Sequence, residues 1–150
     1  MLKSKVALAT LLGLVISGCS SDEPGIDIAQ ADSINIEAIA FDAENSSVNF
    51  KLVDDQGELL NGAEKSQFLV AFMGLPEKTE MKGMAFPWHQ TESFGCDEED
   101  CNVQLTATGP GEYQFAAPQG IEWQPQVVYH RVALQVRTGS VESTFEIISE

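Results

Sequence analysis

Strict alternation of apolar and other residues, sustained along nearly the whole chain, is the feature that most restricts the fold. It is clearest in "VVYHRVALQVR" at residues 127–137, where Val128, His130, Val132, Leu134 and Val136 recur at every second position. A period of two places those side chains on one face of an extended strand and cannot make one face of a helix. A "TGS" turn follows, and "VESTFEII" offers Val141, Phe145 and Ile147 for a return strand. "SINIEAIAF" alternates Ile34, Ile36 and Ala38, and "SVNFKLVD" aligns Val48, Phe50 and Leu52 before "DDQGE" turns the chain. In "QFLVAFMGL" the residues between Phe68, Val70 and Phe72 are apolar as well, the mark of a strand buried at the centre of a sheet. "NVQLTAT" carries Val103 and Leu105, and "GPG" turns into "EYQFAA". About seven short strands separated by Gly, Pro and Asp turns predict an all-β fold, an antiparallel sandwich or a small barrel.

The first residues do not belong to this pattern. "MLKSKVALATLLGLVISGCSSDEP" has two lysines, an apolar run from Val6 to Ile16, and small residues before Cys19. The run is too short to span a bilayer, which takes about 20 apolar residues, and matches the core of a secretory signal. "ISGC" resembles the bacterial lipobox, in which the cysteine is acylated and becomes the mature N-terminus. Residues 1–18 are therefore expected to be a lipoprotein signal peptide, with Cys19 lipidated. Each buried CH2 of the acyl chains adds about 0.8 kcal/mol of membrane affinity. Ser20, in place of Asp, implies sorting to the outer membrane by resemblance to Gram-negative lipoproteins. The polar stretch to residue 33 is expected to be a flexible tether, and residues 34–150 the β domain.

Export decides how "FGCDEEDC" is read. Outside the cytoplasm disulfides persist, and with Cys19 acylated the remaining cysteines are Cys96 and Cys101. Their four-residue spacer allows a disulfide across a tight loop, contributing about 2 kcal/mol in the chain-entropy model. A half zinc site lacks its second pair of ligands, and a redox CxxC has a two-residue spacer. Asp97, Glu98, Glu99 and Asp100 inside the loop do not follow the alternate spacing of a calcium loop and read as a solvated acidic tip.

Charge and missing motifs narrow function. Against 8 basic residues the chain has 23 acidic ones, and losing Lys3 and Lys5 with the leader brings the net charge from −15 to −17. Such a surface repels nucleic acid and anionic headgroups. No GxSxG, HExxH, Walker A or GxGxxG motif is present, so a non-enzymatic role without a cofactor is expected. His130, on a strand face among valines, reads as a hydrogen-bonded core or edge imidazole. Met81, Met84 and His89 are the soft-ligand candidates for copper, and with the acidic loop they define the alternative expectation, a periplasmic metal-binding lipoprotein.

"VNFKLVDDQGELLNG", "FLVAFMGL", "PWHQTESFGC" with the second cysteine at 101, "GPGEYQFAAP" and "RVALQVR" together resemble the N-terminal domain of outer-membrane decaheme cytochromes. The likeness runs through roughly residues 34–148. It implies a Greek-key β domain of a cell-surface lipoprotein used in extracellular electron transfer. The sequence contains no CxxCH, so no haem attachment carries over. The resemblance therefore implies either a haem-free interaction or scaffold module docking against a multihaem cytochrome or an outer-membrane porin, or a truncated relative with no partner. The lipobox yields a direct test: Cys19→Ala should move the protein from the membrane pellet to the soluble fraction on cell fractionation, and retention in the pellet would refute the anchor.

Overall fold

The computed structural model describes residues 24–77, 90–96, 103–139 and 141–150. In chain order the strands are β1 (Ile26–Asp27), β2 (Asn35–Asp42), β3 (Ser47–Val53), β4 (Leu60–Asn61), β5 (Phe68–Pro76), β6 (Gln90–Gly95), β7 (Gln104–Gly109), β8 (Glu112–Ala116), β9 (Val127–Thr138), β10 (Val141–Glu142) and β11 (Glu146–Ser149). Single turns of 3-10 helix precede β2 and β5, at Ile28–Gln30 and Lys65–Gln67. One antiparallel sheet has the order β2-β3-β8-β7, and the other runs β6-β5-β9, with β10 and then β11 completing it beyond β9. Successive hairpins alternate between the sheets. The result is the A-B-E-D against C′-C-F-G arrangement of an immunoglobulin-type Greek-key sandwich. Neither sheet closes on itself, so the sandwich is realised and the barrel is not.

The alternation expected from sequence builds the core. Val48, Phe50 and Leu52 of β3, with Tyr113 and Phe115 of β8, face Phe68, Val70 and Phe72 of β5 and Val132, Leu134 and Val136 of β9, all buried. Fully burying one such side chain stabilises the fold by about 1.5–3 kcal/mol. Rings stitch the two layers together: Phe50 meets Phe68 at 5.5 Å between centroids, and Phe72 meets Phe41 at 5.9 Å and Phe115 at 6.3 Å. Tight turns close the hairpins. Gly111 (φ 65°) is needed twice over, because a Cβ there would also lie 3.1 Å from the Leu52 carbonyl oxygen. The Asp42 carboxylate accepts hydrogen bonds from the side chain and backbone of Asn45 (2.7 and 2.9 Å), which hold it below the usual carboxylate range.

Four details differ from expectation. β6, "QTESFG", is an additional edge strand whose apolar signal is confined to Phe94. A bulge between Ala38 and Ala40 leaves Ile39 unpaired and exposed and shifts the alternation by one, so that Phe41 rather than Ala40 follows Ile36 and Ala38 on the core side. Residues 24–31 are not free tether: β1 pairs in parallel with β4, the Asn61 side chain donates to the Pro24 carbonyl oxygen (3.1 Å), and Ile28 is only 1% exposed. The ordered domain thus begins at least ten residues before the expected boundary at 34. Lastly, the pairing with β9 slips by one residue between β10 and β11. Val141 stands opposite Thr138 but Ile147 opposite Ala133, so Phe145 and Ile147 turn outward and Ile148 packs inward.

The Tyr113 hydroxyl joins the layers to the β1–β4 end. It donates to the Leu60 carbonyl oxygen (2.9 Å) and accepts from the Ala63 N–H (3.2 Å), and burial pushes its pKa up. Because folding favours the neutral phenol, this contribution is complete below pH about 10 and is lost as pH rises through the raised folded value. Tyr113→Phe should cost about 1–3 kcal/mol in denaturant unfolding at pH 7 by leaving the Ala63 N–H and Leu60 carbonyl unpaired, and should remove part of the alkaline loss of stability.

Candidate interaction surface

The two outer faces of the sandwich are chemically unlike. On the β2-β3-β8-β7 sheet, Asn49 stands beside Gln114 and Thr106, and Lys51 lies between Glu37 and Glu112 with its ammonium 3.8 Å from Glu37. That is the solvated face normal for an antiparallel sheet. On the other sheet the register sets Ile147, Ala133, Ala71 and Ser93 side by side, with Leu69 in the next row. Leu69 (37% exposed), Tyr129 (48%), Phe145 (52%) and Ile147 (58%) form an apolar band open to solvent. Leu69 alternates with the buried Phe68 and Val70, and Ile147 lies next to Ile148, which packs against the core, so the pleat that fills the core also turns these side chains outward.

Polar groups frame it. Arg137 donates to Glu142 (3.1 Å) and to the Gln135 side chain (3.0 Å), and Gln135 donates in turn to Glu142 (2.6 Å) and to the Ser143 carbonyl oxygen (3.2 Å). Gln135 is consequently buried on an outer face with every polar group satisfied. Glu142 and Glu150 lie on the β10–β11 edge, both exposed, whereas Glu92 of β6 stands opposite Phe72 and so lies on the other side of the sheet from the band. Arg131, also exposed, has no hydrogen-bond or ion-pair partner among the described residues.

One end of the band deepens into a cleft of about 470 Å³ between Leu75 and Pro76 of β5, Tyr129 and Arg131 of β9, and Ser149 and Glu150. Here His130 Nδ1 lies 2.8 Å from Glu150 Oε2, and the ring is 4.8 Å from Trp123. This is the hydrogen-bonded edge imidazole expected from the alternation. Neither cleft hydroxyl, Ser149 or Tyr129, bonds to it, so the pair ties the chain beyond β11 to β9. Trp123 donates to the Ala43 carbonyl oxygen (3.2 Å), and Gln90 clamps the same loop through Glu122 and Gln124. The backbone of Gly74 passes directly beneath: a Cβ there would come within 2.7 Å of Val127 and 2.9 Å of Trp123.

Other expected site residues are not brought into this surface. Cys19, Met81, Met84, His89, the carboxylates at 97–100 and Cys101 lie outside the described residues. Cys96, just after β6, packs partly buried against the core. Among the described residues no group of three or more His, Cys, Asp or Glu could hold a metal ion. Sequence reasoning missed the contributions of Trp123, Glu150 and Ile147. The first two have no periodic signal, and the third was assigned to the wrong face by the slip before β11.

Fold and surface together define a Greek-key β-sandwich with one polar and one apolar outer face. Among solved structures it is similar to the outer membrane decaheme cytochrome OmcA, with a TM-score of 0.57 and 15% identity over 83% of this chain and 24% of that one. It is also similar to MtrC from Shewanella baltica OS185, with a TM-score of 0.51 and 16% identity over 78% and 21% of the respective chains. At these identities the likeness is one of fold, and this chain spans less than a quarter of either cytochrome. No protein-family model and no curated protein matches the sequence.

The close approach at Gly74 is testable. Gly74→Ala should destabilise the domain by about 1–3 kcal/mol through overpacking and shift the tryptophan fluorescence; unchanged stability and emission would show that Trp123 is not held there.

Proposed function

We propose that this chain is an outer-membrane lipoprotein acting as a non-enzymatic interaction module beside multihaem cytochromes in extracellular electron transfer. The observation that carries the reading is the fold shared with two outer-membrane cytochromes in a chain that has no CxxCH of its own. A domain of this kind contributes by holding partners together. The acylated Cys19 keeps it at the membrane, and a disulfide between Cys96 and Cys101 closes the loop after β6. Chemistry stays with the partner, a multihaem cytochrome or the porin beside it. With −17 net charge on the mature chain, encounter is driven by positive potential on the partner.

Direct binding tests this reading. Purified mature protein should have no Soret absorbance. It should bind an immobilised outer-membrane decaheme cytochrome with micromolar affinity, and the affinity should fall steeply between low salt and 0.15 M, where the screening length is about 8 Å. A haem spectrum in the purified protein, or no binding at either salt to cytochrome or porin, would refute it.

A further inference from the structure

We infer that the outer face of the β6-β5-β9-β11 sheet is the docking surface, and that its occupant is a partner protein presenting an apolar patch rimmed by lysines or arginines. This rests on the proposed interaction role and adds the face and the chemistry of the partner.

The apolar band is the first ground. Leu69, Tyr129, Phe145 and Ile147 are between 37% and 58% exposed and share one sheet face, whereas the other sheet carries Ile39 as its single large exposed apolar residue among the described ones and is otherwise polar and ion-paired outside. Scattered exposed apolar residues need no explanation, but Leu69, Ala71, Ala133 and Ile147 stand in adjacent rows of paired strands with Phe145 next to them, and such a cluster marks a contact surface, while Tyr129 lies beyond Arg131 at the cleft. Charge complementarity is the second ground. Glu142 and Glu150 flank the band on its β10–β11 side, in a chain whose mature net charge is −17. Matching such a rim takes cationic side chains outside an apolar centre, the usual anatomy of a protein contact. Among the described residues Arg131 is the cation on this face whose guanidinium has no ion-pair partner, and it works against a basic partner.

Size and charge argue against a second copy. Four strands about 4.8 Å apart, over about seven residues of 3.4 Å rise, give a face on the order of 450 Å². A stable dimer buries about 800 Å² per partner, so this face fits a transient encounter instead. Two copies at −17 each would also repel. A bilayer with anionic headgroups is disfavoured by the same charge.

Amide chemical shifts in the full mature chain test the proposal with defined probes. One is a blocked peptide with Leu and Phe flanked by lysines, and its twin has glutamates in place of the lysines. The lysine peptide should shift amides of β5, β9 and β11, and the glutamate peptide should bind at least ten-fold more weakly. F145S/I147N, changing exposed side chains only, should keep the native circular dichroism and lose at least ten-fold in lysine-peptide affinity. Arg131→Gln should leave that affinity unchanged or raise it. Shifts confined to the other sheet or to the loops, equal binding of the two peptides, or wild-type affinity in the double variant would overturn the proposal. Concentration-dependent dimerisation lost in F145S/I147N would assign the face to a second copy, and its loss of binding to phosphatidylglycerol vesicles would assign it to lipid; either overturns it. A decaheme cytochrome separates this inference from the functional reading. If the lysine peptide binds and the cytochrome does not, the surface stands and the cytochrome role falls. If the cytochrome binds the double variant as well as wild type, the role stands and the surface falls.

Discussion

The pairing of β5 with β9 is the constraint from which the rest of the molecule follows. Their register runs from Phe68 opposite Val136 to Leu75 opposite Tyr129, between β5, the most apolar of the longer described strands, and β9, the longest of them. Because side chains alternate, this one register decides two surfaces at once. Inward it stacks Val70 on Leu134 and Phe72 on Val132, supplying the layer against which Phe50 and Phe115 pack. Outward it sets Leu69, Ala71, Ala133 and Tyr129 on the band. A slip of one residue would expose the core and bury Arg131, so the apolar face is held in place by the same energy that holds the fold.

Legibility in the sequence follows from how local each signal is. Stretches whose alternation is uninterrupted, such as 47–53, 112–116 and 130–136, were readable because burial on one face imposes period two without help from elsewhere; at 127–129 an irregular pairing beside Pro76 leaves Val128, expected inward, 51% exposed. β6 was not, since an edge strand with one buried ring needs little apolar content. The start of the domain was hidden for a related reason: "GIDIA" holds only Ile26 and Ile28 as strand-like signal, and their burial depends on β4, over 30 residues away. Resemblance reached the Greek key correctly because it compares the whole order of turns and strands, which no single window contains.

The interaction face was the least legible part. Phe145 and Ile147 are ordinary inward residues by alternation, and only the slip between β10 and β11 reverses them. That slip comes from Ser143, which inserts itself into the ladder: its N–H donates to the Val136 carbonyl oxygen (2.9 Å) and its hydroxyl accepts from the Val136 N–H (3.0 Å). A serine doing the work of a backbone group has no periodic signature. His130 was readable as a bonded imidazole, yet its partner Glu150 and the tilted ring of Trp123 beside it come from segments that carry no pattern at all.

An exposed apolar sheet face beside free strand edges invites association of copies, and the chain carries counter-measures in its sequence. The β2 edge is kinked by the bulge at Ala38 and Ala40, β11 is only four residues long, and both edges of the apolar sheet carry carboxylates. Net charge extends the same protection beyond contact distance, because an approaching copy meets repulsion over a Debye length before any apolar contact forms. These devices are selective. They act against another copy of an acidic protein and assist a basic one, so a single charge distribution both suppresses self-association and admits the partner the apolar face requires.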